Sequence, residues 1–371
     1  MSQPPAAQFA DRHTPVKGVD AVVLVGGKGT RLRPLTLSAP KPMLPAAGVP
    51  FLSHLFSRIR AAGIEHVVLG TSYRSEVFSD HFGDGARFGL EIEYVVEDEP
   101  LDTGGAIRNV TDRLRGDHAI VFNGDILSGV DLGALTETHS YSGADVTLHL
   151  VKVADPRAFG CVPTDADGRV TAFLEKSDDP PTDQINAGCY VFRRSVIDSI
   201  PAGRPVSVER ETFPGLLRDG AHVHAHVDSS YWLDLGTPAA FVRGSADLVR
   251  GVAPTDALPG EQGDSLVGEN TTIADGVALS GGTAVGAGCS VGTRSRLEGA
   301  VLFAGAVLGE DVVVERSVIG AGAEIGDGAI VRDAVIGDRA VVGAGCELLE
   351  GVRVWPDVRL PAGGVRFSTD A

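Results

Sequence analysis

The chain has 371 residues, 43% of them hydrophobic, which exceeds one average domain and is ample for a real core. Its 49 acidic against 32 basic residues leave a formal charge of -17, which disfavours nucleic acid and anionic membrane surfaces as partners unless the basic residues gather in one place. The four cysteines, Cys161, Cys189, Cys289 and Cys346, lie far apart without a CxxC pair, so they suggest neither a zinc site nor a disulfide framework and fit a reducing cytoplasm.

Residues 1–18 lack an apolar signal core and read as a flexible, solvated tail of a soluble, unprocessed protein; no stretch approaches the ~20 apolar residues of a membrane span. From Val19 to about Leu248, short apolar runs alternate with amphipathic segments, the pattern of a mostly parallel sheet covered by helices. Strands are expected at Ala21–Val25, His66–Gly70, Ile92–Val96, His118–Phe122, Val146–Val151, Ala187–Phe192 and Val223–Val227, with helices at Phe51–Ala62 and Gly104–Leu114. Functional loops then belong at the carboxyl ends of the strands. His222, His224 and His226 would share one strand face; without a cysteine or carboxylate at suitable spacing they read as a solvated face, not a metal site.

The Pro/Gly-rich passage 251–263 reads as a linker between a unit at 19–250 and a second at 264–371. Beyond it, aliphatic residues recur every six positions at Val267, Ile273, Leu279, Val285, Val291 and Leu297. The series resumes at Leu302, Leu308 and Val314, at Ile319, Ile325 and Val331, and at Ile336, Val342 and Leu348, so that Leu302, Ile319 and Ile336 are seventeen apart. Small residues follow many of them, as in Val285-Gly286 and Ile325-Gly326. A flexible linker has no reason to keep aliphatics in register, so each coil reads as three short strands. The pattern resembles the left-handed parallel β-helix of hexapeptide repeats, whose open ends and flat faces make a homo-oligomer the expectation.

The glycine-rich stretch GGKGTRLRPLT, Gly26 to Thr36, follows the first apolar run. It lacks the third glycine of a dinucleotide-binding turn, since position 32 is Leu, and it lacks the upstream spacing of a Walker loop. A third reading uses the whole stretch: a glycine loop at a strand end whose backbone N–H groups face a polyphosphate, with Arg31 and Lys41 supplying charge. Lys28 could reach phosphate or water.

LVGGKGTRLRPLT followed by PKPMLP resembles the signature of sugar-1-phosphate nucleotidyltransferases. The motifs INAG at 185–188, SVERETFP at 207–214 and YWLDLGTP at 231–238 are most similar to the mannose-1-phosphate guanylyltransferase branch, whose members also carry a C-terminal β-helix. The resemblance runs from about residue 19 to the end. It implies a Rossmann-like α/β domain with a mixed, mostly parallel sheet, followed by the β-helix. The implied reaction is attack by a sugar 1-phosphate oxygen on the α-phosphorus of a nucleoside triphosphate, expelling pyrophosphate. Because the nucleophile is already an anion, the difficulty lies in bringing anions together and neutralising charge, which explains the cationic candidates.

Carried onto this chain, the resemblance gives Arg31, Lys41 and Asp125 as catalytic residues. Gly26, Gly27, Gly29, Thr30, Arg31, Asp102, Thr103 and Gly104 would bind the nucleotide. Gly160, Glu175, Lys176 and Asn186 would bind the sugar phosphate, with Gly160 leaving room for the ring. Asp125 and Asp234, each set in an apolar frame, would hold a magnesium ion, which favours one or two carboxylates plus phosphate oxygens. One departure stands out: Leu101-Asp102-Thr103-Gly104-Gly105 has Asp102 where the family usually has glycine. Either Asp tolerates the turn there, or its carboxylate alters recognition of the base. The resemblance favours GTP and mannose 1-phosphate. Another nucleotide, glucose 1-phosphate or a sugar-like cyclitol phosphate stays open, as does a non-catalytic regulatory subunit, against which the retained Arg31, Lys41, Asp125 and Asp234 argue.

Overall fold

The apolar run after Gly18 forms β1 (Val19–Leu24), and six later runs form β2 (His66–Thr71), β3 (Glu91–Val96), β4 (His118–Asn123), β5 (Val146–Lys152), β6 (Gln184–Arg193) and β7 (Val223–Asp228). The computed structural model describes residues 16, 18–72, 74–174, 176 and 178–366. The seven strands make one sheet in the order β7-β5-β6-β4-β1-β2-β3. Only β6 runs antiparallel to its neighbours; the other adjacent pairs are parallel. Every strand expected from the sequence is a member of this sheet.

Successive side chains on a strand face opposite ways, so Ala21 and Val23 enter one core and Val22 the other. The first core is closed by Leu52, Phe56 and Ile59 of the helix Phe51–Ala61 and by Phe78 and Phe82 of the helix Ser75–Phe82. The second is closed by Ile107 of the helix Asp102–Asn109 and by Phe213. Burial on both faces is why these strands read as near-continuous aliphatic runs.

Two expectations shift. The helix expected at 104–114 starts at Asp102 and stops at Asn109, where the β-branched Val110 and Thr111 follow and a 3₁₀ turn, Thr111–Arg113, takes over. Of the tail read at 1–18, residues 1–15 and 17 lie outside the described residues, but Val16 is buried in the first core and its N–H donates to the Ala62 carbonyl at 3.0 Å. An apolar residue there is drawn onto the core rather than into solvent.

After Ser265 the chain winds into three parallel sheets of six, six and five short strands, a left-handed parallel β-helix. The seventeen-residue spacing of the sequence is the ladder register, and the six-residue step carries the chain from one sheet to the next: Val285, Leu302, Ile319 and Ile336 stack in one sheet, and Val291, Leu308, Ile325 and Val342 in the next. All twelve aliphatics counted from Val285 to Leu348 are buried in one cluster. In the first coil Val267 is 44% exposed, because nothing stacks beneath it. The coil lengthens by one residue after Ile336, so the count that stops at Leu348 continues in the structure through Val354 and Leu360. The glycines after the aliphatics are explained by the next coil: a Cβ on Gly286 would lie 2.8 Å from the Leu302 carbonyl oxygen. Elsewhere the corners take positive φ at non-glycine residues, as at Arg294 (φ 60°) and Asp311 (φ 55°), which are stacked and ion-paired at 2.7 Å.

The β-helix does not stand apart from the sheet. Val301, Val318 and Val335 share a buried cluster with Leu32, Leu35, Leu44, Phe241 and Leu248. The passage 251–263 is tied in as well, for Ala253 lies in this cluster and the Thr255 hydroxyl meets His54 Nδ1 at 2.8 Å. His54 is fully buried, and its Nε2 lies 3.0 Å from the Ala46 carbonyl, a contact that requires the proton on Nε2 and leaves Nδ1 to accept.

Burial pushes the His54 pKa down to about 4, against the Ala46 carbonyl, which favours the charged ring. The unfolded chain therefore takes up this proton first, at its ordinary value near 6.5, so the contribution is complete above that pH and is lost as pH falls toward 4. Lowering the pH from 7 to 5 should cost about 2 kcal/mol through His54. Denaturant melts of the wild type and of His54→Gln across this range test it; an identical pH slope in the two proteins refutes the assignment.

Candidate active site

The carboxyl edges of β1, β3 and β4 open into a cavity of about 460 Å³. Gly26, Gly27, Gly29, Thr30 and Arg31 after β1, Glu97 and Asp102 after β3, and Asn123 to Asp125 after β4 line it, together with Lys41. A second cavity of about 860 Å³ adjoins it and is lined by Gly160, Lys176, Asn186, Glu209, Arg210 and Asp234. Arg31 belongs to both linings and marks their junction.

At that junction four charged groups converge. The Lys41 side chain is only 7% exposed, and its Nζ donates to Asp125 Oδ2 at 2.9 Å and to Asp234 Oδ1 at 3.5 Å. Arg31 Nη2 lies 3.8 Å from Asp234 Oδ2, with the arginine side chain 66% exposed toward the cleft. Local sequence explains each placement. Lys41 sits in a 3₁₀ turn whose start is set by Pro40 and whose second residue is Pro42, so its backbone is stiff. Gly29 adopts φ 58°, and a Cβ there would lie 2.9 Å from Thr36 Cγ2 and 3.1 Å from Lys41 Cβ, so the loop folds directly onto the lysine stem. The Thr36 hydroxyl closes the loop by donating to the Gly29 carbonyl at 2.9 Å. Gly236 in YWLDLGTP leaves room for Arg31, since a Cβ there would meet Arg31 Nη2 at 2.5 Å.

The loop expected to read the base holds a compromise. Asp102 adopts φ 57°, a conformation natural to glycine and tolerated by Asp, so the departure from glycine is accommodated in the backbone. Both carboxylate oxygens have protein partners: Oδ1 accepts from the Thr103 N–H and Oδ2 from Arg210 Nη2, each at 2.8 Å. The pair joins the two cavities, since Asp102 lines the first and Arg210 the second. The Thr103 hydroxyl donates to Glu209 and accepts from the Val208 N–H, which ties this loop to the single π-helical turn Val208–Thr212. Gly104 is buried, and its N–H donates to the Val206 carbonyl at 2.7 Å; its place in the motif follows from this close approach.

On the other side, Asn186 donates from Nδ2 to the Tyr190 hydroxyl at 2.7 Å and accepts from the Gly188 N–H at 3.0 Å. Gly160 is needed by the chain itself, because a Cβ there would lie 2.9 Å from the Leu174 carbonyl oxygen. Lys176 is exposed at the cavity wall, and Glu175 lies outside the described residues. Lys28 is exposed and is not part of either lining.

Glu209 and Arg210 belong to the SVERETFP motif but received no role from the sequence, and Glu97 had no signal beyond its place in the loop after β3. Partial burial raises the Glu97 carboxyl above its ordinary pKa, against the Leu101 N–H, which donates to it at 3.3 Å. The histidines in and just before β7 have partners of their own: the His222 and His224 rings meet edge to face at 5.7 Å, and His226 Nδ1 lies 2.9 Å from the Thr138 hydroxyl. Among the described residues no group of three or more His, Cys, Asp or Glu side chains is placed to hold a metal ion, and no helix is long and apolar enough to cross a membrane. Asp125 and Asp234 nevertheless suit a hard divalent cation, since their oxygens converge on one nitrogen and face the cleft, and such an ion takes its remaining ligands from phosphate and water.

Comparison with known proteins agrees with this geometry. Residues 20–251 match the family described as Nucleotidyl transferase, and residues 261–362 match the GMPPB C-terminal domain. A mannose-1-phosphate guanylyltransferase of Mycobacterium tuberculosis is 64% identical over 95% of this chain and 98% of its own length. Mannose-1-phosphate guanylyltransferase 1 of Arabidopsis thaliana is 33% identical over 81% and 85%. Among solved structures, HddC from Yersinia pseudotuberculosis is 29% identical with a TM-score of 0.56, covering 62% of this chain and 99% of that one. The match over residues 20–251 and the identity to the Mycobacterium tuberculosis relative along almost the whole chain show that this chain belongs to the nucleotidyl transferase family.

Proposed function

We propose that the chain transfers a guanylyl group from GTP to mannose 1-phosphate, giving GDP-mannose and pyrophosphate. The observation that carries the reading is the Lys41–Asp125–Asp234 cluster at the junction of two cavities, with Arg31 belonging to both. The similarity to the guanylyltransferase of Mycobacterium tuberculosis along almost the whole chain supports the choice of substrates.

In this reading the nucleotide enters the first cavity over Gly26, Gly27, Gly29 and Thr30, and the sugar phosphate enters the second beside Gly160, Lys176 and Asn186. A sugar phosphate oxygen attacks the α-phosphorus, forming one P–O bond as the bond to the β-phosphate oxygen breaks and pyrophosphate departs. No base is needed, and positioning with charge neutralisation supplies the rate. Arg31 holds the triphosphate with a planar donor fork, and Lys41 brings a compact charge to the reacting phosphates. Asp125 and Asp234 would hold Mg2+, which when bound supplies further positive charge at the phosphate oxygens. Before substrate arrives, Lys41 and Arg31 together offset the charge of two carboxylates that would otherwise repel.

Guanine presents N–H donors at N1 and at its 2-amino group, and Glu97, at the wall of the first cavity, is a carboxylate whose acceptor capacity Leu101 only partly fills. Asp102 shapes the base end through its turn and through Arg210. The four buried free cysteines fit a reducing compartment, the cytoplasm, and the β-helix faces fit assembly with further copies of the chain.

Pyrophosphate release from four triphosphates, each with several sugar 1-phosphates and magnesium, is expected to be fastest with GTP and mannose 1-phosphate; no turnover with any pair sinks the reading. Lys41→Met, Asp125→Asn and Asp234→Asn should each lower kcat by roughly a hundred- to a thousandfold. Glu97→Gln should cut the preference for GTP over ATP by about tenfold, one charged hydrogen bond's worth, while Asp102→Gly leaves that preference in place. The reverse pattern in competition assays would return base selection to Asp102.

A further inference from the structure

One face of the β-helix carries a ladder in which Val301, Val318, Val335 and Arg353 occupy the same rung position in four successive coils. The three valines are buried in the cluster that holds Leu32 and Leu35, the residues that continue the glycine loop. At the fourth rung, after the one-residue lengthening of the coil, the valine position is an arginine. Its Nη1 donates to the Arg31 carbonyl at 2.9 Å and to the Arg33 carbonyl at 2.7 Å.

These two acceptors matter because of where they sit. The segment Thr30–Leu32 is a single 3₁₀ turn, whose own bonds run from the Leu32 N–H to Gly29 and from the Arg33 N–H to Thr30. The carbonyls of Arg31 and Arg33 are left over at its C-terminal side, the end at which a helical turn has unfilled acceptors and favours a cation. A guanidinium bound to both fixes the Arg31–Leu32 and Arg33–Pro34 peptide planes, and with the first of them the direction in which the Arg31 side chain leaves the backbone. Hydrogen bonds from a charged donor are about twice as strong as neutral ones. No described carboxylate pairs with Arg353, so its charge is directed at the loop alone.

We infer that Arg353 is a positioning residue for nucleotide binding: it sets the backbone that carries Arg31, and thereby makes the last coil of the β-helix part of the triphosphate site. The inference rests on reading Arg31 as the triphosphate clamp. Arg31 also borders the second cavity, but Arg353 touches none of the residues read as holding the sugar phosphate there, Gly160, Lys176 and Asn186, so the larger effect falls on the nucleotide.

The test uses the full chain with Arg353→Ala, Arg353→Lys and Arg359→Ala; the last removes an arginine of the next strand that makes no described contact with the glycine loop. For Arg353→Ala, the KM for GTP and the dissociation constant for GTP measured directly by calorimetry should both rise about tenfold, with the KM for mannose 1-phosphate within about twofold of wild type. Arg353→Lys should recover part of the loss, and Arg359→Ala should match wild type. In an Arg31→Ala background the further change Arg353→Ala should add nothing, since the group it positions is gone. An unchanged GTP affinity in Arg353→Ala overturns the inference, as do losses that multiply in the double variant or a rise in both KM values accompanied by a lower Tm. Calorimetry keeps the outcomes separable: if GTP binding depends on Arg353 but no sugar phosphate reacts, the substrate assignment fails and the positioning role stands.

Discussion

The Lys41 ammonium between Asp125 and Asp234 is the contact on which the rest of this site depends. It joins segments 84 and 193 residues apart in the chain. A nearly buried ammonium without partners would be costly, and two carboxylates brought together without a cation would repel, so each group is held only while the others are present. The glycine loop is then built around that lysine. Gly29 abuts the Lys41 stem, Thr36 closes the loop, and Gly236 makes way for Arg31 beside Asp234. Stability and substrate binding therefore draw on the same charges, and a change at any one of them disturbs both.

Beneath this knot lies a second constraint, an apolar one. Leu32, Leu35 and Leu44 flank Arg31 and Lys41 in sequence and are buried away from the cleft, and they find their cover against Val301, Val318 and Val335 of the β-helix. The two parts of the chain thus share a core rather than a hinge. Sheet strands position the loop ends, while the β-helix supplies the floor beneath the segment that runs from the glycine loop to Lys41. That arrangement gives the repeat a role in the site itself, in addition to any role in assembly.

Features repeated in register were legible in the sequence, and features set by a single long-range contact were not. The seven strands and the twelve buried aliphatics from Val285 to Leu348 follow from periodicity, because burial imposes the same choice again and again. Lys41, Arg31, Asp125 and Asp234 were legible as chemistry, although only the structure shows them touching. Arg353 had no such signal: it lies eighteen residues, not seventeen, after its rung partner Val335, and its hydrogen-bond acceptors are backbone carbonyls more than three hundred residues earlier. Two of the glycines also carry a packing demand: a Cβ at Gly160 or Gly104 would crowd the Leu174 or Val206 carbonyl, a demand that looks the same in sequence as room left for a ligand.

A chain of charge -17 that binds two polyanions must solve its electrostatics locally. Charges more than a Debye length apart, ~8 Å at physiological ionic strength, are largely screened, so the acidic surface bears little on a phosphate already in the cleft. Some surface acid is also paired locally: along the β-helix corners Asp311, Asp333 and Asp357 meet Arg294, Arg316 and Arg339. In the cleft the balance is set by four groups, two cations and two carboxylates, with Lys41 largely removed from water, where each charge acts more strongly than on the surface. A nearly neutral cluster is poised rather than strongly attractive. In the proposed reading, bound Mg2+ would supply the further positive charge that two phosphate-bearing substrates need there, and free phosphate alone would gain little.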